Sequence, residues 1–166
     1  MDIDTLHSQL FNSGYNVYSV IDGANAPVLL GKLAKYEPKH TCLFRGELSI
    51  EMAEVAPYMV KLEPDHDFTN WLLEYAMESP CCIFAQTDKD FLALRKHFRS
   101  FLRVESPEGE TLHFRYYDPR VLSVYLPSCE EEENAVLYAD VIKQYLVFNH
   151  EDKELKEFQN LLQSEG

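Results

Sequence analysis

The sequence predicts an α/β fold: a layered, mixed β-sheet with flanking helices, plus a small C-terminal α+β lobe. Three observations carry this prediction. Short apolar or alternating runs recur along the chain, separated by stretches whose apolar residues fall at helical spacing. A loop with turn chemistry, Ser106-Pro-Glu-Gly109, lies between two such runs and reads as an antiparallel hairpin. After Pro127 the composition shifts, residues 128–166 holding ten acidic and three basic side chains. The chain therefore divides into a body over 1–127 and an acidic segment over 128–166, either a lobe of its own or packed on the body as one domain.

Residues 2–12 read as a short helix with Leu6, Leu10 and Phe11 on one side, and Gly14 ends it. Val17–Ile21 is a strand of branched and aromatic residues, apolar enough to be central. Asp22-Gly23 turns, and a helix over 26–36 carries an apolar stripe of Val28, Leu29, Leu33 and Tyr36. Cys42–Phe44 is a second strand. A helical turn with Leu48, Met52 and Val55 follows, and Tyr58–Leu62 is a third strand. Phe68, Trp71, Leu72 and Tyr75 mark an amphipathic helix, and the uncharged run Cys81–Ala85 an interior strand. Thr87 with Asp90 resembles a capping box at the start of the longest helix, which runs to about residue 100 with Phe91, Leu92, Leu94, Phe98 and Phe101 inward. Leu102–Val104 and Thr111–Tyr117 flank the hairpin loop. A helix through Val136 and Tyr138, a strand over Gln144–Phe148 and a last helix over 152–163 complete the chain.

The corner at residues 112–127 is the most polar junction. Leu112, Phe114 and Tyr116 alternate with His113, Arg115 and Tyr117, the period of a strand with one buried face. Asp118-Pro119 then changes the period, because Asp accepts from a free N–H at a helix start and Pro suits the first helical turn. Val121, Leu122 and Tyr125 follow at helical spacing. Arg115 and Arg120 flank Asp118, and either can pair with it or with the acidic tail to fix the turn.

A net charge of −13 over 166 residues argues against nucleic acid, which needs clustered Lys and Arg to neutralise phosphates. No stretch approaches the ~20 apolar residues of a membrane helix, and the first residues lack a secretory signal pattern. The expected location is the cytoplasm. There the four cysteines read as reduced structural thiols, and adjacent Cys81 and Cys82 are expected to leave a strand on opposite faces. One local reversal of sign stands out: Arg95, Lys96, Arg99 and Arg103 lie in a stretch without an acid between Asp90 and Glu105.

No nucleophile elbow, phosphate loop, dinucleotide fingerprint or zincin motif is present, and the six histidines are far apart. Asp65-His66-Asp67 is better explained as a helix cap than as a metal or base–orienter site. Cys42 or Cys129 as a nucleophile lacks a histidine that the sequence can place. No metal and no cofactor are expected.

Several segments, in order, resemble one family: Val20-Ile-Asp-Gly-Ala24, Leu43-Phe-Arg-Gly46, Glu54-Val-Ala-Pro-Tyr58, Phe68–Leu73, Leu92–Leu102, and Phe114-Arg-Tyr-Tyr-Asp-Pro-Arg-Val-Leu122 with Tyr125-Leu-Pro127. Together they are similar to the effector-chaperone (adaptor) proteins of bacterial type VI secretion systems, catalogued as a domain of unknown function. The resemblance implies a non-enzymatic protein of the cytoplasm that binds a cognate toxic effector and helps load it onto the VgrG spike. The alternative from the residues alone is a small hydrolase with an unrecognised site. Arg45, Arg95, Arg99, Arg115, Tyr117 and Arg120 are the expected partner-binding residues, since Arg and Tyr are enriched at interface hot spots. Asp118 and Pro119 are expected to be the structural turn.

Overall fold

The computed structural model describes residues 1–160. A six-stranded sheet forms its centre, in the order β2 (His40–Cys42), β3 (Pro57–Leu62), β1 (Asn16–Asp22), β4 (Cys82–Thr87), β7 (Ile142–Asn149) and β8 (Glu154–Gln159). Each pairing is antiparallel. The hairpin of β5 (Arg103–Glu105) and β6 (Thr111–His113) forms a separate two-stranded sheet beside it. The α/β class expected from the sequence is the class observed, but the main sheet is antiparallel throughout rather than mixed, and the hairpin expected to join it stands apart. The segment after Pro127 supplies β7 and β8 to the same sheet as the body.

Strand alternation explains the layering. Along β1, Val17 and Ile21 point into one apolar cluster, and Tyr18 and Val20 into another. On β4 the division is Cys82 and Phe84 against Ile83 and Ala85. The sheet is thus buried on both faces, which is why its central strands read as continuous apolar runs. The first face is covered by α1 (Ile3–Phe11), α2 (Leu29–Tyr36) and α4 (Asp67–Glu78), through Leu6, Leu10, Leu29, Leu33, Phe68 and Leu72. The second is covered by α5 (Phe91–Ser100), α6 (Pro119–Ser128) and α7 (Glu131–Tyr138), through Leu94, Phe98, Leu122, Leu126 and Leu137. The short α3 (Ile50–Val55) presents Ile50, Met52 and Val55 to solvent.

Several local expectations are corrected. The stretch expected as a helix over 152–163 is strand β8 as far as Gln159, and residues 161–163 lie outside the described residues. Its Leu155 joins the first core and Phe158 the second. A spacing of three puts residues on one side of a helix but on opposite sides of a strand, and an edge strand between two cores needs that arrangement. The alternating strand to Tyr117 ends at His113, and Tyr116 and Tyr117 are both buried because the chain turns there, Asp118 N donating to the Arg115 carbonyl at 3.1 Å. A 3-10 turn over Gly23–Asn25 delays α2 to Leu29. The second strand lies at His40–Cys42, before the expected run. The cap of α5 is Asp90, which accepts from Ala93 N at 2.9 Å, while Thr87 instead accepts from Lys89 N at 3.0 Å; Leu92 is exposed. Cys81 precedes β4 rather than belonging to it, so it shares the first core with Cys82.

Candidate functional site

Three of the ordered segments, Val20–Ala24, Glu54–Tyr58 and Phe114–Leu122, meet at one corner of the sheet. Asp22, at the end of β1, is buried and accepts from Ala24 N at 3.0 Å and Asn25 Nδ2 at 2.9 Å. Its other partner is the Arg115 guanidinium, 93 positions away in sequence. Desolvation works against the Arg115 charge, but the Asp22 carboxylate outweighs it and raises the guanidinium pKa. Gly23 N donates to the Ala56 carbonyl at 3.0 Å. A Cβ on Gly23 would lie 2.5 Å from the Glu54 carbonyl oxygen and 2.6 Å from that of Ala56, so only glycine fits. Asp118 caps α6, accepting from Arg120 N at 2.9 Å, and Arg120 grips the same carboxylate through Nε at 3.0 Å and Nη2 at 2.9 Å. Burial raises the Asp118 pKa, and the hydrogen bonds from Arg120 more than reverse it, leaving the carboxyl below its ordinary value. The bidentate pair foreseen at this turn is therefore Arg120 with Asp118; Arg115 reaches across to Asp22.

Beside this corner a cleft of about 570 Å³ opens between the chain after β2, α5 and the hairpin. Leu43, Phe44, Leu48, Met52 and Leu102 give it apolar walls, and Arg45, Arg99, Arg103 and His113 line it as well. A second hollow of about 320 Å³, lined by Val55, Arg115 and Tyr117, shares Phe44, Met52 and His113 with the first. The two form one trough. The Phe44 ring meets His113 edge-on at 5.7 Å, and His113 Nε2 lies 2.8 Å from the Tyr117 hydroxyl.

The trough is electropositive. Among the described residues, no carboxylate lies within ion-pair distance of Arg45, Arg95, Arg99 or Arg103. Arg99 Nη2 donates to the Cys42 carbonyl at 2.8 Å, while its buried Nε has no acceptor. Desolvation, then the Arg95 and Arg45 charges, lower the Arg99 pKa; desolvation, Arg115 and Arg103 do the same to His113. In both cases burial is the larger cause and the neighbouring cations add to it. Burial also raises the Cys42 thiol, which disfavours the nucleophilic thiolate.

A family model described as a domain of unknown function, DUF4123, matches residues 17–135. The chain belongs to this family. DUF4123 is associated with the effector-adaptor role in type VI secretion. No curated protein and no solved structure matches the chain. In this DUF4123 chain the matched region runs from β1 into α7, so β7 and β8 lie beyond it while completing the sheet.

Of the residues singled out from sequence, the DUF4123 fold brings Arg45 and Arg99 together in the cleft, with Arg95 near enough to shift Arg99. Arg115 and Tyr117 line the adjoining hollow, but Tyr117 is only 2% exposed, with burial pushing its pKa up to about 12. Arg120 faces a different depression, with Val124 and His150. Arg103, His113, Phe44 and Met52 complete the trough and were not anticipated there. Arg103 was visible as part of the basic run; Met52 and Val55 were visible only as apolar residues of a short helix, whose exposure no periodicity reveals. Asp65-His66-Asp67 is a cap as expected, although the capping group is His66 Nδ1, which accepts from Phe68 N at 3.0 Å. Among the described residues no three His, Cys, Asp or Glu side chains gather as a metal site, and no helix is long and apolar enough to cross a membrane.

Proposed function

We propose that this protein is a cytoplasmic adaptor that binds a cognate type VI secretion effector and helps load it onto the VgrG spike, acting by binding and not by catalysis. The supporting observation is the trough itself: a concave, apolar-walled surface with Arg45, Arg95, Arg99 and Arg103 in or beside it, none of them within ion-pair distance of a carboxylate among the described residues, on a chain of net charge −13. Apolar walls beside exposed arginines have the composition of a protein-recognition surface. Membership of a family associated with effector adaptors gives that surface a class of partner.

The test is co-expression with the effector encoded beside this gene, followed by affinity purification through the effector and size-exclusion chromatography. The expected result is a stable complex and a larger soluble fraction of effector. An effector that purifies alone, with its solubility unchanged, would sink the proposal. Adding the neighbouring VgrG to the purified complex then reads the loading step, with a ternary species as the expected product.

A further inference from the structure

We propose that the trough holds an acidic, amphipathic peptide segment of the effector, its carboxylates on Arg45, Arg99 and Arg103 and its apolar side chains against Phe44 and Met52. This rests on the adaptor reading and adds to it the place and chemistry of the contact.

Charge complementarity identifies the occupant. The chain carries 15 Lys and Arg against 28 Asp and Glu, so a cluster of arginines without a carboxylate neighbour runs against its composition. Among the described residues Lys61, Lys89, Arg115, Arg120, Lys143 and Lys156 each reach an acid, whereas Arg45, Arg99 and Arg103, gathered around one cleft, reach none. Arg99 lines the cleft with its Nη2 held by the Cys42 carbonyl, which fixes the guanidinium where its charge can attract a carboxylate. Arg103 is paired with His113 across the hairpin, so both side chains stand on one face of it, the face that lines the cleft. Meanwhile Met52 is 45% exposed on α3 at the opposite wall. An occupant must therefore be anionic and apolar at once.

Size argues for a peptide. The two hollows are continuous through Phe44, Met52 and His113, making a trough longer than one side chain needs. A nucleic acid strand would meet the repulsion of a −13 chain on every other surface, and its phosphates gain nothing from aliphatic walls.

The experiment measures the affinity of the purified protein for the neighbouring effector by isothermal titration calorimetry. Arg45→Glu/Arg103→Glu reverses two exposed charges that make no internal ion pair, so its fold is expected to survive; an unchanged melting temperature checks this. Lys35→Glu/Lys96→Glu imposes the same change in net charge outside the cleft. The expected outcome is a loss of about tenfold or more in affinity for the arginine variant and little change for the lysine variant. Met52→Asp, at an exposed position on the apolar wall, is expected to weaken binding as well and keeps the test open should the double variant unfold. Wild-type affinity in both Arg45→Glu/Arg103→Glu and Met52→Asp overturns the trough while leaving the adaptor reading intact. Equal losses in the arginine and lysine variants overturn it too, since only net charge would then matter. Failure of the wild-type protein to bind overturns the adaptor reading and this proposal together. A concentration-dependent dimer that disappears in Arg45→Glu/Arg103→Glu would make a second copy of this chain the occupant, and would also overturn it.

Discussion

At residue scale, the most constrained position is Gly23, where the backbone of the α3–β3 junction passes directly over the α-carbon. Gly23→Ala forces backbone to move and is expected to cost about 1–3 kcal/mol, read as a fall in denaturant midpoint. Gly31 is the contrast: it lies in α2 with nothing within 4 Å of an added Cβ, so Gly31→Ala is expected to raise stability by about 0.5–1 kcal/mol. A gain at both positions, or a loss at both, would contradict the packing described. His97 supplies a pH dependence. It is buried in the second core, its Nε2 donating to the Leu137 carbonyl at 2.8 Å, and burial pushes its pKa down to about 4 from an ordinary 6.5. The unfolded chain therefore takes up a proton that the folded chain refuses. Stability is complete above pH 6.5 and falls as pH drops toward 4, by up to about 3 kcal/mol. Melting temperatures between pH 7 and 5 should show this decline, and His97→Gln should flatten it; an equal slope in the variant would remove His97 as its source. None of this was legible beforehand, because an isolated histidine on a basic helix face looks solvated until the helix is docked.

At the scale of elements, caps and turns were the most legible features. Asp118-Pro119 announced the start of α6, and the structure adds that Arg120 clamps the capping carboxylate. Asp118→Ala should cost ~1 kcal/mol, the usual value of a lost cap, with little added for Arg120, whose side chain is 63% exposed and can rehydrate. An unaltered melting temperature would mean that α6 is held by packing alone. Strand β8 was illegible for a definite reason. Glu, Lys and Leu are good helix formers, and Leu155 and Phe158 stand at a helical interval. The unpaired edge of β7 and two cores ending at that edge outweighed propensity, as tertiary context does for short segments.

At the scale of the whole molecule, the layered class followed from periodicity, but the strand order did not, since local pattern carries no information about which distant strands pair. The same holds for the trough: its arginines were visible singly, and only the fold sets Arg45, Arg99 and Arg103 around one hollow. The link between Asp22 and Arg115 has a kinetic consequence. It joins residues 93 apart, with β3, β4 and the helices between them in sequence, so a long loop must close for its carboxylate and guanidinium to meet. The pair is expected to close late in folding. Asp22→Ala should therefore leave the refolding rate nearly unchanged and accelerate unfolding, shifting one arm of the chevron and not the other. On that expectation the pair governs how long the protein survives once folded more than how fast it folds.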